Sequence, residues 1–273
     1  MTGFGRAAAA ALVLLVGAAA CGDDDDDAGP AATTTTSTTT EAPADEGPAI
    51  EGSLTVFAAA SLTDAFGEIG EAFEDANPEV TVTFNFAGSS ALREQILSGA
   101  PADVFASANT SNMKQVVDGG AATDPSDFVE NQLQIVVPAG NPAGVTGLAD
   151  FADGDLLIGL CAEEVPCGQF GREALGKAGV TPAVDTNEPD VRSLLTKVEN
   201  DDLDAGIVYR TDVMTAGDAV EGIDIPAEHN VLAVYPIVAL TDAPNPDAAA
   251  AFVEFVLSEA GREILSSHGF DLP

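Results

Sequence analysis

From Leu54 to Ser266 the apolar residues switch repeatedly between a period of two and a period near 3.6, and few architectures accept that pattern. Residues 54–60 are an apolar strand. Phe66, Ile69 and Phe73 then share one helical face within 61–75. Val80, Val82, Phe84 and Phe86 alternate with Thr81, Thr83 and Asn85, as a strand with one buried face does. The same reading gives a short helix over 91–97 and strands over 103–108, 133–137 and 156–160. Helices follow over 169–178, closed by Gly179, and over 191–198. A buried strand over 205–209 and a long one over 231–240, with Pro236 inside it, precede terminal helices over 247–257 and 259–266. Strands and helices that alternate with short connections predict an α/β fold, a mostly parallel sheet with helices on both faces. Ligands of such sheets sit beyond the carboxyl ends of the strands, where helix N-termini gather.

Two of the strand-to-helix junctions are led by serine. In Phe57-Ala-Ala-Ala-Ser61-Leu-Thr-Asp64, Ser61 has the position of a helix cap, with Asp64 three residues on as in a capping box. In Phe86-Ala-Gly-Ser89-Ser90, Gly88 allows a tight turn or a close approach of backbone to a ligand, and the serines open the next helix. Free N–H groups at a helix start, with a hydroxyl beside them, make an anion site without any cation. Plain capping is the alternative reading of both serines.

The sequence holds no G-x-S-x-G, H-E-x-x-H, G-x-G-x-x-G or P-loop, and its two histidines lie far apart. A catalytic set would have to be built from Asp, Glu, Ser and Tyr, so an enzyme, for instance a secreted hydrolase, is poorly supported. Acidic residues outnumber basic ones 45 to 9. Nine of those acids and one base, Arg6, precede Gly52, which leaves 36 against 8 in the part that folds. That excess argues against nucleic-acid binding. It does not exclude a buried anion site, because surface charge is screened over roughly 8 Å at physiological salt.

The chain opens with an export-like segment. Arg6 precedes an apolar run, 7–20, that is too short for an ordinary membrane span and fits a signal-peptide core over 1–20. Ala18, Ala19 and Ala20 then lead into Cys21, as in a bacterial lipobox with Cys21 lipidated; an ordinary cleaved signal with an incidental cysteine is the alternative. Residues 21–51, with the acidic run 23–27 and the Thr-rich run 33–40, have the composition of a disordered tether. The expected location is therefore extracytoplasmic, on the membrane through a lipid. In that oxidising setting Cys161 and Cys167 are expected to form a disulfide, with a loop-closure contribution of about 2–2.5 kcal/mol. A zinc site is the rival, but only His229 and His268 could complete it.

Taken in order, Phe57-Ala-Ala-Ala-Ser61-Leu-Thr-Asp64, Phe86-Ala-Gly-Ser89-Ser90, Gly99-Ala-Pro-Ala-Asp-Val-Phe-Ala-Ser-Ala108, Val165-Pro-Cys-Gly168, Asp190-Val-Arg192 and Gly206-Ile-Val-Tyr209 resemble segments of the molybdate-binding proteins of ABC transporters. The resemblance spans about residues 53–270. It implies a two-lobed periplasmic-binding-protein fold of type II, with lobe I over 52–134 plus 236–273, lobe II over 135–235 and a ligand cleft between them. It implies crossovers near Gln134 and Tyr235-Pro236. Carried over by position, the ligand residues are Ser61 and Ser89 through hydroxyl and N–H, Cys167 and Val191 through N–H, and Tyr209 through its phenol. Structural roles for Val191 and Tyr209, helix packing and a buried hydrogen bond, stay open. So do two roles for Arg192 and Arg210: local positive potential, or ion pairing with the abundant acids. The implied ligand is molybdate or tungstate, with sulfate or phosphate as alternatives on the same fold. The implied partner is a membrane permease; a monomer without a cofactor is expected. A surface adhesion or sensing protein would leave the paired serine loops without a purpose.

Overall fold

The structure is a computed structural model that describes residues 50–273. The expectations for 1–20, for Cys21 and for the tether up to residue 49 lie outside the described residues. β1 (Gly52–Ala59) passes through a short 3-10 turn (Ala60–Leu62) into α1 (Thr63–Ala76), followed by β2 (Val80–Ala87), α2 (Ser89–Leu97), β3 (Val104–Ala106) and α3 (Thr110–Asp118). A long β4 (Ser126–Pro138) leads to β5 (Ile158–Cys161), α4 (Pro166–Lys177), β6 (Thr186–Glu188), α5 (Val191–Glu199), β7 (Ala205–Tyr209), α6 (Arg210–Ala216) and β8 (Val220–Asp224). β9 (Leu232–Ala239), α7 (Pro246–Leu257) and α8 (Glu259–Ser267) complete the chain.

The strand order is β2-β1-β3-β9-β4-β7-β5-β6, with β8 paired to β4. β1 pairs in parallel with β2 and β3, and β5 in parallel with β6 and β7. Between these two parallel groups run β9 and β4, which are antiparallel to their neighbours. β4 changes partner partway along. Its residues 126–132 pair with β9, and from Leu133 onward it pairs with β7 and β8. One strand thus belongs to two sheets and joins two halves of the molecule.

Pro236 stands inside β9, between β3 and β4, where a missing N–H is ill tolerated. The strand opposite accommodates it with a bulge: the register shifts between Asp127 and Val129, just where Asp127 faces Pro236. The Pro236 carbonyl still accepts from Ser107 N–H at 2.9 Å. The residue skipped by the shift, Phe128, is buried against Tyr235.

Alternation along β1 sorts the core. Val56 and Ala58 face one cluster, Phe57 a second that holds α2 and α3 through Leu92, Ile96, Met113 and Val116. On the first face, Phe66, Ile69 and Phe73 of α1 are buried as their spacing predicts, and Phe66 and Phe73 meet Phe252 of α7 edge-on. Burying each such side chain contributes roughly 1.5–3 kcal/mol. Gly179, with φ +72°, takes the left-handed position just beyond α4.

Candidate functional site

Six chain segments converge on one cavity of at most about 210 Å3, and each stands at the carboxyl end of a strand. β1 runs into Ala60 and Ser61, β2 into Gly88, β3 toward Ala108, β5 toward Val165 and Cys167, and β6 toward Asp190 and Val191. β7 ends on Tyr209 itself. The cavity's water-accessible volume is only about 10 Å3, room for about one water-sized group, whereas pockets that take drug-sized organic ligands measure about 300–1,000 Å3.

Ser61, Cys167, Val191 and Tyr209 all line the cavity. Ser89 is outside that lining but adjoins Gly88, which belongs to it. Neither serine is a helix cap. The 3-10 turn moves the start of α1 to Thr63, so the capping box expected of Ser61 and Asp64 does not form; the residue before α1 is Leu62 and makes no side-chain cap. The Ser61 hydroxyl instead meets the Tyr235 hydroxyl at 2.9 Å, buried. At α2 the cap position is Gly88, and Ser89 is the first helical residue. Ser89 Oγ accepts from Ala108 N–H at 3.0 Å, which leaves its own O–H to donate.

Four helix or turn starts thus border one space: Ser61 in the 3-10 turn, Gly88 and Ser89 at α2, Cys167 as the second residue of α4, and Val191 as the first of α5. First-turn N–H groups have no acceptor inside their own helix and carry the positive end of its dipole. The α4 start is fixed in two ways. Cys161, at the end of β5, is joined to Cys167 by a disulfide, so the two sulfurs are not a thiolate pair for zinc. Gly168 admits the close fit, since a Cβ there would lie 1.8 Å from the Ala162 carbonyl oxygen.

Gly88 also serves by close approach, to the chain segments that face it. Its φ of −60° is ordinary, so no turn requires glycine. A Cβ at this position would fall 2.6 Å from the Pro189 carbonyl oxygen and 2.9 Å from Val165, both across the cavity. Asp190 puts a carboxylate at the rim of a would-be anion site. Its oxygens accept from Ser193 N–H at 2.8 Å and Ser193 O–H at 3.0 Å, which turns the charge into the first turn of α5.

Of the described residues in the cavity wall, Tyr209 is the one whose buried side-chain polar atom lacks a hydrogen-bond partner. It is fully buried, lines the cavity, and its hydroxyl has no hydrogen-bond partner. Tyr235 lies close, with ring centroids 5.9 Å apart, and its hydroxyl, which meets Ser61, is a polar neighbour of the Tyr209 phenol without a well-formed hydrogen bond to it. Burial, then the neighbouring Tyr235 and Asp212, push the Tyr209 phenol well above its ordinary range. Burial raises Tyr235 as well, against the pull of the Ser61 hydrogen bond. Both phenols therefore stay protonated at neutral pH and can act as neutral donors.

Behind Tyr209 lies a charged group that sequence reasoning missed. Asp212, in α6, is completely buried and accepts Tyr209 N–H at 3.0 Å. Its other oxygen lies 3.1 Å from Arg192 Nε, an ion pair without the alignment of a hydrogen bond. Burial raises this carboxyl to about 7, although Arg192 and the Tyr209 N–H both pull it down. Arg192 also pairs with Asp64. Arg210 donates to the Gly269 carbonyl at 2.7 Å and pairs with Asp271 at 3.0 Å. Both arginines are thus committed to acids. Tyr235 was read only as part of a crossover and not as a neighbour of the site, yet the chain has only two tyrosines, both at strand positions. That scarcity was the available signal.

A mixed α/β sheet whose strand ends and helix starts surround one small, donor-lined space is the make-up of a solute-binding protein. The chain belongs to the bacterial extracellular solute-binding protein family, whose model matches residues 54–271. It is similar to the molybdate-binding protein ModA of Mycobacterium tuberculosis, 40% identical over 222 residues that cover 81% of this chain and 85% of that one. The molybdate-binding protein ModA of Escherichia coli is 33% identical over 238 residues, 82% and 91% of the two chains. These relatives are binding proteins rather than enzymes. Among solved structures, the Azotobacter vinelandii periplasmic molybdate-binding protein superposes with a TM-score of 0.70 at 18% identity, covering 81% of this chain and 99% of that one. The sulfate-binding protein SubI of Mycobacterium tuberculosis does so at 0.73 and 16% identity, covering 81% and 86%. Both likenesses are of fold. No helix among the described residues is long and apolar enough to cross a membrane.

Proposed function

We propose that this protein captures molybdate or tungstate outside the cytoplasm and delivers it to the permease of an ABC importer. Its relatives' names supply the ligand class. The observation that carries the reading is the Tyr209 hydroxyl, buried without a partner on the wall of a cavity ringed by helix starts. A tetrahedral oxyanion would accept from Tyr209 O–H, from the Ser61 and Ser89 groups, and from the N–H groups of Cys167 and Val191. Charge-assisted hydrogen bonds contribute about 1.5–3 kcal/mol each, so four or five give roughly 6–15 kcal/mol before ordering costs. Micromolar affinity needs about 8 kcal/mol, within reach of neutral donors alone. A protonated anion would bring an O–H that only a hydroxyl oxygen turned from donor to acceptor could receive, which favours the fully ionised ligand.

The same reading takes the two halves as lobes, 52–134 with 236–273 and 135–235, that close on the anion about crossovers near Gln134 and Tyr235-Pro236. It includes a monomer held at the membrane by a lipid on Cys21, after the Ala18-Ala19-Ala20-Cys21 pattern. The test is Tyr209→Phe. Molybdate affinity is expected to fall about 10- to 150-fold, the worth of one charge-assisted hydrogen bond, with the melting temperature unchanged or raised because a buried unpaired hydroxyl is removed. Undiminished affinity would take Tyr209 out of the site.

A further inference from the structure

Arg192 follows Val191 at the start of α5, yet its side chain is not part of the cavity wall. It reaches two carboxylates that belong to different halves of the molecule. Asp212 stands in α6, in the half built on β5, β6 and β7. Asp64 stands in the first turn of α1, three residues after Ser61, in the half built on β1, β2 and β3. We propose that Asp64 and Arg192 form a closing latch, a contact made when the halves meet that lengthens the stay of a bound anion without touching it. This rests on the reading that the halves are lobes closing around an oxyanion.

The two carboxylates play unequal parts. Asp212 is completely buried within the same half as Arg192, so it holds the guanidinium whether the molecule is open or closed. A planar guanidinium already fixed on one side loses less freedom when a second carboxylate arrives. Asp64 keeps 39% of its side chain exposed, against 24% for Arg192; it is the partner that can leave. Among the described residues, the other ion pair between the halves, Arg210 with Asp271, is placed differently. Asp271 is bridged by backbone hydrogen bonds to Glu130 of β4, the strand that runs through both halves. That pair sits where the halves are continuous and survives opening. On the cleft side, the Asn109 amide donates to Gln169 Oε1 at 3.1 Å and Gly88 fits closely against Pro189, so Arg192 is not alone there. It is, however, the cation that a strongly acidic molecule spends on this closure.

The experiment compares wild type, Asp64→Asn and Asp64→Glu in the whole protein, by calorimetric titration with molybdate and by small-angle scattering without ligand. Asp64→Asn leaves the buried Arg192–Asp212 pair intact. Its molybdate Kd is expected to rise about 5- to 30-fold, between the effects of an exposed pair and of a charged hydrogen bond. Asp64→Glu is expected to recover most of that loss, and Asp64→Asn to show a larger radius of gyration than wild type. A purely local role in capping α1 would not change the scattering. Equal Kd values for Asp64→Asn and wild type would overturn the latch while leaving the oxyanion reading standing. If wild type binds no molybdate, the functional reading fails, and scattering alone decides: equal dimensions in the two proteins overturn the latch.

Discussion

Tyr209, which lines the cavity, meets Tyr235, the chain's only other tyrosine, with ring centroids 5.9 Å apart, and one acid sits behind Tyr209. Asp212 accepts Tyr209 N–H and faces Arg192, with Asp64 and Asp190 contributing repulsion and both phenols nearby. Burial raises its carboxyl from the ordinary 3.8 to about 7 in the fold. Between those two values the folded protein holds a proton that the unfolded chain has released, so stability falls as pH rises from about 4 to about 7 and levels off above. Asp212→Asn is expected to flatten that part of the melting-temperature profile relative to wild type; superimposable slopes would show that Asp212 titrates normally. At this scale the sequence was legible in placement, where position in a junction decides which residues come together. Ser61, Cys167, Val191 and Tyr209 reach one cavity. Asp212 was illegible because nothing local distinguishes it from the other acids. Its burial comes from α6 folding back beside β4 and β7, and its partner lies twenty residues earlier in α5.

Strand–helix junctions are the elements that build the site, and their backbone groups count for more than their side chains. The serines read from sequence as caps or donors prove not to cap, because a 3-10 turn precedes α1 and Gly88 takes the cap position of α2. Gly88 shows how such a junction constrains closure. Its backbone would accept alanine; only the Pro189 carbonyl and Val165 opposite forbid a methyl group. Gly88→Ala is therefore expected to fold normally and to bind molybdate about 5- to 150-fold more weakly, the cost of overpacking a fitted contact. Unchanged affinity would mean that the close approach has no part in binding. Long, strongly periodic elements were legible: β1, α1, β2, α5, β7, β9 and the terminal helices lie close to their predicted spans. The predicted strand at 133–137 is only the end of β4, whose 126–132 stretch is interrupted by polar residues and a bulge. β6, β8 and α6 were not read because each is short, and β6 and β8 are largely polar. α3 was missed despite Asn109 at its cap, whose side chain accepts Asn112 N–H, and buried Met113 and Val116 at helical spacing.

For the whole molecule the proposed function must reckon with charge, since the chain has 45 acids against 9 bases. Surface charge acts over roughly a Debye length of 8 Å, whereas the cavity is faced by helix starts and neutral hydroxyls within contact distance. Arg192 adds little net charge, since Asp64 and Asp212 both claim it. On the proposed reading, attraction comes from oriented N–H and O–H groups, which would also set geometry and so selectivity. The division into two halves was not readable from periodicity alone. It is seen in β4 changing partners after Gln132, a tertiary event that the local pattern does not carry. The most direct test of the central claim is calorimetric titration of the purified protein with molybdate, tungstate, sulfate and phosphate at one pH and salt concentration. One-to-one binding of molybdate and tungstate at micromolar Kd or tighter, with sulfate and phosphate much weaker, is the predicted result. Heat from sulfate or phosphate alone, or from none of the four, would contradict it.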